Sequence, residues 1–184
     1  SMTAEINRAY EIANEYRRRG VKVVMGGIHP STLPHEAIQH SDSVVIGEAE
    51  GSWQNVINDF KKGNLKKFYS SDIRPPLDNL AFPRRDLVKG KKYLTKNIIQ
   101  TTRGCPFSCT FCTVTNFFGN TYRYRPIKDV ISEVESLDGN FIVFIDDNIL
   151  ANPKRAKELF TALIPYKKKW VSQSSINLAK DKEA

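Results

Sequence analysis

The first sixty residues alternate between helical and strand-like patterns of apolar positions. Apolar side chains recur at helical spacing over 4–19 and 53–60, and a shorter helix fits residues 33–39. The apolar runs at 21–25 and 43–46 have the length of short buried strands. Helices and strands that alternate in this way predict an open parallel sheet.

The same alternation returns after residue 97. Strands are predicted over 97–102, 141–145 and 170–174, and the middle one is a continuous apolar run typical of a strand buried on both faces. The helices between them are opened by Pro126 and capped by Asn152. This order predicts a second parallel arrangement with right-handed crossovers.

The segment between these two regions lacks a sustained period. Its prolines and lysine clusters predict an extended linker with a short strand near Phe68. We therefore divide the chain into a first domain over 1–62, a linker over 63–97 and a second domain over 98–184. Three strands with their helices cannot close a barrel, so we expect a fragment of a longer protein. Its open sheet edges would favour oligomers, because unpaired edges seek partner strands.

Charge allows an anionic partner without choosing one. The chain has 28 Lys and Arg against 20 Asp and Glu, a net charge of +8. A basic nucleic-acid-binding or RNA-modifying module is therefore one alternative function. No base-reading motif accompanies the lysines, so a nucleic-acid partner is not expected. No apolar run approaches the roughly 18 residues of a membrane span, and the first residues lack the apolar core of a signal peptide.

The three cysteines of the chain, Cys105, Cys109 and Cys112, lie in one short segment with the spacing C-x3-C-x2-C. An odd number packed this tightly indicates a reduced ligand cluster and a cytoplasmic protein, not a disulfide framework. Structural zinc needs four protein ligands, and the histidines lie far away in the sequence. A small zinc-binding interaction domain remains a second alternative. An iron–sulfur cubane held by three thiolates would leave one iron open to chelate a small ligand.

With Phe111 just before the last cysteine, this segment resembles the signature of radical S-adenosylmethionine (SAM) enzymes. The resemblance implies a [4Fe–4S] cluster on the three cysteines, with Phe111 in the cofactor-binding loop. The open iron would bind the amino and carboxylate groups of SAM, and reduction by an electron donor would release a 5′-deoxyadenosyl radical. Three arginines nearby, at 103, 123 and 125, would offset the negative charge of the cluster.

Polar residues follow the two later strands, at the ends where ligands gather in parallel α/β folds. Asp146 and Asp147 begin an Asp-Asp-Asn sequence that resembles the version found in cobalamin-linked radical SAM proteins. Either carboxylate could accept a hydrogen bond from the ammonium of SAM, or the pair could form a polar turn. Gln173 and Ser174 could bind the ribose hydroxyls, or they could be solvated strand-end residues.

The first domain resembles the later part of a cobalamin-binding domain. The resemblance rests on Gly26 and Gly27 with the residues that follow, and on the segment 47–50. Glycine has no Cβ, so a flat group can approach the backbone there. The chain lacks the Asp-x-His-x-x-Gly loop of some cobalamin proteins, and His29 is not assigned as a cobalt ligand.

Together these features predict an α/β protein: a partial Rossmann-like parallel sheet followed by a partial (β/α) radical SAM barrel. The expected cofactors are a [4Fe–4S] cluster, SAM and cobalamin. The expected reaction is methyl transfer, or a related modification, at an unreactive carbon of a small-molecule or lipid-like substrate. We expect this chain alone to be inactive, because the barrel it begins is incomplete.

Overall fold

The computed structural model describes residues 1–71, 73–88, 90–93 and 95–176. The chain forms two compact units: the first contains Ser1–Pro75 with Asn116–Phe118, and the second contains Pro76–Thr115 and the residues from Gly119 onward. The end of the domain predicted over 98–184 lies outside the described residues. None of the helices that the structure describes has the length and apolar character needed to cross a membrane.

The first unit is a three-stranded parallel sheet with helices between its strands. Its elements are α1 (Ile6–Arg18), β1 (Val24–Gly26), α2 (Ile28–Thr32), α3 (Pro34–His40), β2 (Ser43–Ile46), α4 (Trp53–Lys61) and β3 (Phe68–Ser70). The strand order is β1-β2-β3. Met25 lies opposite Val44, and Val45 lies opposite Tyr69. The predicted open parallel sheet is confirmed.

Two features of this unit differ from the pattern of the sequence. The short strand expected inside the linker, β3, pairs with β2 as the third strand of the sheet. The predicted division at residue 62 stays a prediction. The five residues of α2 form a helix that the sequence did not indicate, starting directly after Gly27, whose φ is +99°. Pro30 is tolerated because it lies in the first turn of this helix.

The core of the first unit lies on both sides of β2. Ile6, Tyr10 and Ala13 of α1 pack with residues of β1, β2 and α3, while Val45 packs with Val56 and Tyr69 on the other side. The stripe expected on α4 buries Val56, whereas Trp53 and Phe60 are exposed. Burial of these apolar side chains is the main favourable term in folding the unit.

The second unit carries a parallel sheet and a small antiparallel ribbon. Its elements are β4 (Ile98–Ile99), β5 (Thr102–Arg103), α5 (Thr113–Phe118), β6 (Arg123–Tyr124), α6 (Ile127–Glu135), β7 (Phe141–Phe144), α7 (Pro153–Leu163) and β8 (Lys169–Val171). The parallel sheet has the order β4-β7-β8, and β5 pairs with β6.

The predicted strand over 97–102 is divided into β4 and β5. The backbone N–H groups of Thr101 and Thr102 donate to the carboxylate of Asp146 and not to a neighbouring strand. A side chain therefore replaces the sheet partner at this point, and the chain leaves the parallel sheet to enter the ribbon.

Helices cover one face of the parallel sheet. Ile142 and Phe144 of β7 are buried against apolar residues of α6 and α7, with Ile99 of β4 in the same cluster. On the opposite face, Phe141 and Ile145 are 40% and 51% exposed. The expectation that this strand is buried on both faces is wrong for the part of the chain that the structure describes.

The free edge of β4 is covered by arginine side chains. Arg85 donates to the carbonyl oxygens of Lys96 and Ile98 at 3.1 and 2.6 Å, and Arg125 donates to that of Gln100 at 3.0 Å. Both guanidinium groups also pair with Glu133, which is buried. The sequence led us to expect unpaired carbonyl groups at the sheet edges. At β4, these carbonyl groups have hydrogen-bond partners.

Candidate functional site

The cysteine loop connects β5 to α5. It turns at Gly104, whose φ is +85°, and its three cysteines are free thiols, with Cys109 exposed and the other two partly buried. Within the loop, the N–H of Cys112 donates to the carbonyl of Cys109 at 3.0 Å. The turn brings the last cysteine to the N-cap of α5.

The donor set of this loop suits an iron–sulfur cluster. Three thiols lie within eight residues, and residues 103–125 contain no Asp or Glu that would compete for the metal. Thiolates are the ligands that iron–sulfur clusters use. Among the residues that the structure describes, no three Cys, His, Asp or Glu side chains are already gathered closely enough to hold a metal ion. The predicted [4Fe–4S] site on the three cysteines therefore stays a prediction.

Asp146 ties the start of this loop to the end of β7. Its carboxylate is 1% exposed and accepts hydrogen bonds from the N–H groups and the hydroxyls of Thr101 and Thr102. Burial raises the pKa of Asp146, and these hydrogen bonds oppose the rise. In this structure the carboxylate is fully engaged by the threonines, and its predicted contact with the SAM ammonium stays a prediction.

Asp147 is the more accessible of the two acids. It is partly buried, and burial raises its pKa, while the backbone N–H of Gly104 opposes that rise. Since Gly104 immediately precedes Cys105, Asp147 lies beside the cysteine loop. Its predicted role toward the SAM ammonium also remains a prediction, and it has the accessibility that this role needs.

The ends of β7 and β8 are joined by hydrogen bonds. The N–H of Ile149 donates to the carbonyl of Gln173 at 3.1 Å, and the N–H of Ser175 donates to the side chain of Asn148 at 3.2 Å. The side chains of Gln173 and Ser174 are exposed at this edge. Their predicted contact with ribose is untested, and the structure places them on the same edge as Asp147.

Phe111 does not pack in the core. The residue is 88% exposed. It immediately precedes Cys112, whose N–H closes the turn of the loop. An aromatic ring left at the surface beside three thiols is accessible to a bound cofactor. Its predicted place in the cofactor-binding loop stays a prediction.

One arginine near the loop, Arg125, has a partner within the fold. Arg125 turns to Glu133 at 2.6 Å, so its charge is used within the fold. Arg155 of α7, which the sequence analysis missed, is buried, donates to the carbonyl of Arg125 and lies 5.2 Å from the ring centroid of Tyr124. Burial lowers the pKa of Arg155. In the sequence, Arg155 stands beside Lys154 in a polar turn of α7, so nothing marked it as a buried residue.

Tyr122, one of the aromatic residues near the cysteine loop, makes contacts that the sequence did not indicate. Its hydroxyl donates to the carbonyl of Asn148 at 3.1 Å, which links the chain after α5 to the end of β7. Burial is the main cause that raises the pKa of Tyr122, and a side-chain hydrogen bond with Thr102 opposes the rise.

The first unit has its own small cleft at the ends of β1 and β2. A cavity of about 170 Å³ is lined by Gly26, Gly27, Gly47 and Trp53 among others. A Cβ at Gly26 would lie 3.4 Å from the carbonyl oxygen of Val45, and Gly27 has φ of +99°. The glycines thus shape the cleft, and their predicted contact with cobalamin remains a prediction. The ring nitrogens of His29 contact Thr3 and Glu36.

Comparison with known proteins gives each unit a family. Residues 1–57 match the B12 binding domain, and residues 99–180 match the radical SAM superfamily. The chain is 37% identical to bacteriochlorophyllide d C-8(2)-methyltransferase of Chlorobaculum tepidum over 87% of the chain and 35% of that protein. It is 31% identical to the C-12(1)-methyltransferase of the same organism over 100% of the chain and 42% of that protein. Hopanoid C-2 methylase of Rhodopseudomonas palustris is 24% identical over 88% of the chain and 33% of that protein.

The chain therefore belongs to the radical SAM proteins that carry a B12-binding domain, which confirms the resemblance and the fold class seen in the sequence. It spans about a third to two fifths of the length of these relatives. The radical SAM match implies a [4Fe–4S] cluster and SAM, and the B12-binding match implies cobalamin.

Proposed function

We propose that the protein containing this chain is a cobalamin-dependent radical SAM methyltransferase. The observation that carries the proposal is the loop of three free cysteines. It follows β5, shortly after the first strand of the parallel sheet in the second unit, and a B12-binding domain precedes it in the chain. The relatives with 37% and 31% identity are both methyltransferases. When bound, the cofactors supply electron transfer to SAM and transfer of a methyl group.

Each part of the chain has a separate role in this proposal. Cys105, Cys109 and Cys112 hold the cluster as thiolates. Asp147 accepts hydrogen bonds from the ammonium group of SAM, and Gln173 and Ser174 bind its ribose hydroxyls. Gly26 and Gly27 bring the backbone close to cobalamin in the first unit. The protein thus binds and orients its cofactors at the strand ends of two sheets.

The proposal extends to partners and location. The substrate is a small or lipid-like molecule with an unreactive carbon, and an electron donor reduces the cluster. Nucleic acid is not a partner, and copies of the chain associate through sheet edges. The protein works in the cytoplasm, where thiols stay reduced.

Anaerobic reconstitution with iron and sulfide tests the proposal. The wild-type protein should gain the brown absorption of a [4Fe–4S] cluster and cleave SAM to 5′-deoxyadenosine under reduction. Cys105→Ala, Cys109→Ala and Cys112→Ala should each abolish both signals, since each removes one of three ligands. Ser108→Ala in the same loop should keep them. Retained absorption in Cys105→Ala, or one bound zinc and no iron in the wild type, would overturn the proposal.

A further inference from the structure

Among the described residues, Thr101 and Thr102 supply the hydrogen bonds to the buried carboxylate of Asp146. Oδ1 accepts from the N–H of Thr101 at 2.8 Å, from the N–H of Thr102 and from the hydroxyl of Thr102 at 2.7 Å, and Oδ2 accepts from the hydroxyl of Thr101 at 3.2 Å. The acid follows β7, whereas its donors follow β4. The contact therefore joins the ends of two neighbouring parallel strands.

These donors stand immediately before the cysteine loop. Thr102 also pairs with Tyr124 in the β5–β6 ribbon, and Cys105 follows it by three residues. The turn at Gly104 lies between them. Fixing Thr102 in both directions thus fixes the point from which the loop starts, while hydrogen bonds inside the loop, such as the one from Cys112 to Cys109, are local.

We propose that Asp146 is a positioning residue for the iron–sulfur site: by holding Thr101 and Thr102, it sets the origin of the cysteine loop so that the three thiols can converge on one cluster. This inference rests on the proposed function. Within this inference Asp146 acts through the threonines, and its predicted contact with the SAM ammonium is a separate prediction. Residues that hydrogen-bond directly to a metal ligand typically change metal affinity about 10- to 100-fold when they are removed. Asp146 stands one contact further from the cysteines, so we expect a loss of up to about tenfold.

The arrangement makes a sharp distinction between two substitutions. In Asp146→Asn, the amide oxygen can keep the three hydrogen bonds of Oδ1, and its NH2 group can donate to the hydroxyl of Thr101, which also accepts. In Asp146→Ala, the N–H groups of Thr101 and Thr102 lose their acceptor in a buried place, which is costly. Asn should therefore rescue what Ala destroys.

The threonine side offers a matched pair that leaves Asp146 in place. Thr102→Val removes the hydroxyl donor and keeps the shape of the side chain, whereas Thr102→Ser keeps the hydroxyl. Leu159→Ala is the control for stability alone, since Leu159 is buried in the helix-covered core of the same unit. If the Thr102 hydroxyl positions the loop, Thr102→Val and Thr102→Ser should differ in iron retention. If it contributes only stability, they should not differ in this way.

Hydrogen exchange on the cluster-free protein tests the contact itself. Asp146→Ala should speed exchange of the Thr101 and Thr102 amides by about tenfold or more, if each loses a hydrogen bond of about 1.4 kcal/mol or greater. Leu159→Ala should not speed exchange of the Thr101 and Thr102 amides more than it speeds exchange of the other amides in the second unit. Unchanged exchange in Asp146→Ala would overturn the inference whether or not the protein binds a cluster.

Iron retention on the reconstituted protein tests the consequence. Under anaerobic conditions, Asp146→Ala and Thr102→Val should have iron affinities lower by up to about tenfold in competition with a chelator, and the electron paramagnetic resonance signal of the reduced cluster should broaden. Asp146→Asn, Thr102→Ser and Leu159→Ala should match the wild type. If Asp146→Ala retains iron and gives spectra like those of the wild type, the inference is wrong. A cluster in the wild type would still support the proposed function. A wild type that binds no cluster would overturn both.

Discussion

Glu133 is a buried carboxylate that pairs with two arginines in the second unit. Its side chain is 2% exposed and pairs with both Arg85 and Arg125. Glu133→Ala would leave two guanidinium groups without their carboxylate, so we expect a loss of about 3–5 kcal/mol in the free energy of unfolding. Denaturant unfolding followed by circular dichroism measures this. Asp86→Ala, which breaks an exposed pair with Arg84, should change stability little, and equal losses in both variants would contradict the prediction.

Tyr10 gives the first unit a pH-dependent contact. Its hydroxyl donates to Glu36 at 2.9 Å, and burial, followed by this hydrogen bond, raises its pKa to about 12. An unfolded tyrosine has a pKa of about 10. The stability that the protonated hydroxyl contributes is therefore fully present below about pH 10 and is lost as the pH rises to about 12.

Comparison of wild type with Tyr10→Phe isolates this effect. The difference in free energy of unfolding should be constant up to about pH 10 and should then shift against the wild type toward pH 12. Tyr16→Phe removes a hydroxyl from the exposed side of the same helix and is the control. A difference between wild type and Tyr10→Phe that is flat across this range would show that the hydroxyl is not held by Glu36.

At the scale of elements, local signals predicted what local forces determine. The strands β2 and β7 appear where apolar runs placed them, whereas β1 starts at Val24, three residues after the start of the run predicted over 21–25. The helix α7 starts at Pro153, with the side chain of Asn152 accepting from the N–H of Arg155. The capping and the burial of one face are visible within a few residues of sequence. These elements needed no knowledge of the rest of the chain.

The elements that sequence missed depend on distant partners. The single strand expected over 97–102 breaks because Asp146, some 45 residues later, takes the two amides at its end. The β5–β6 ribbon needs pairing across the whole cysteine loop. The same holds for the site: cysteine spacing predicts the ligands, whereas nothing near Thr101 or Thr102 in the sequence shows that they anchor the loop.

At the scale of the whole molecule, the edges of the sheets decide whether copies associate. Strand edges with unpaired carbonyls are templates for another chain. At β4, the carbonyls of Lys96 and Ile98 already accept from Arg85. That edge is protected by a side chain, so the association proposed for this protein would have to use other strand edges, such as that of β8.

Arg85→Ala should therefore expose the edge of β4, which the arginine covers in the wild type. Removal of the guanidinium frees the carbonyls of Lys96 and Ile98, and a strand from a second copy can then satisfy them. We expect sedimentation velocity to show more dimer in this variant at every protein concentration, after circular dichroism confirms that it folds. Arg84→Ala is the matched control. Arg84 is exposed and neighbours Arg85 in the sequence, but among the contacts described its side chain pairs only with Asp86. If the two variants sediment alike, Arg85 does not protect the edge of β4, and the association of copies must be sought at other strand edges or at side-chain surfaces.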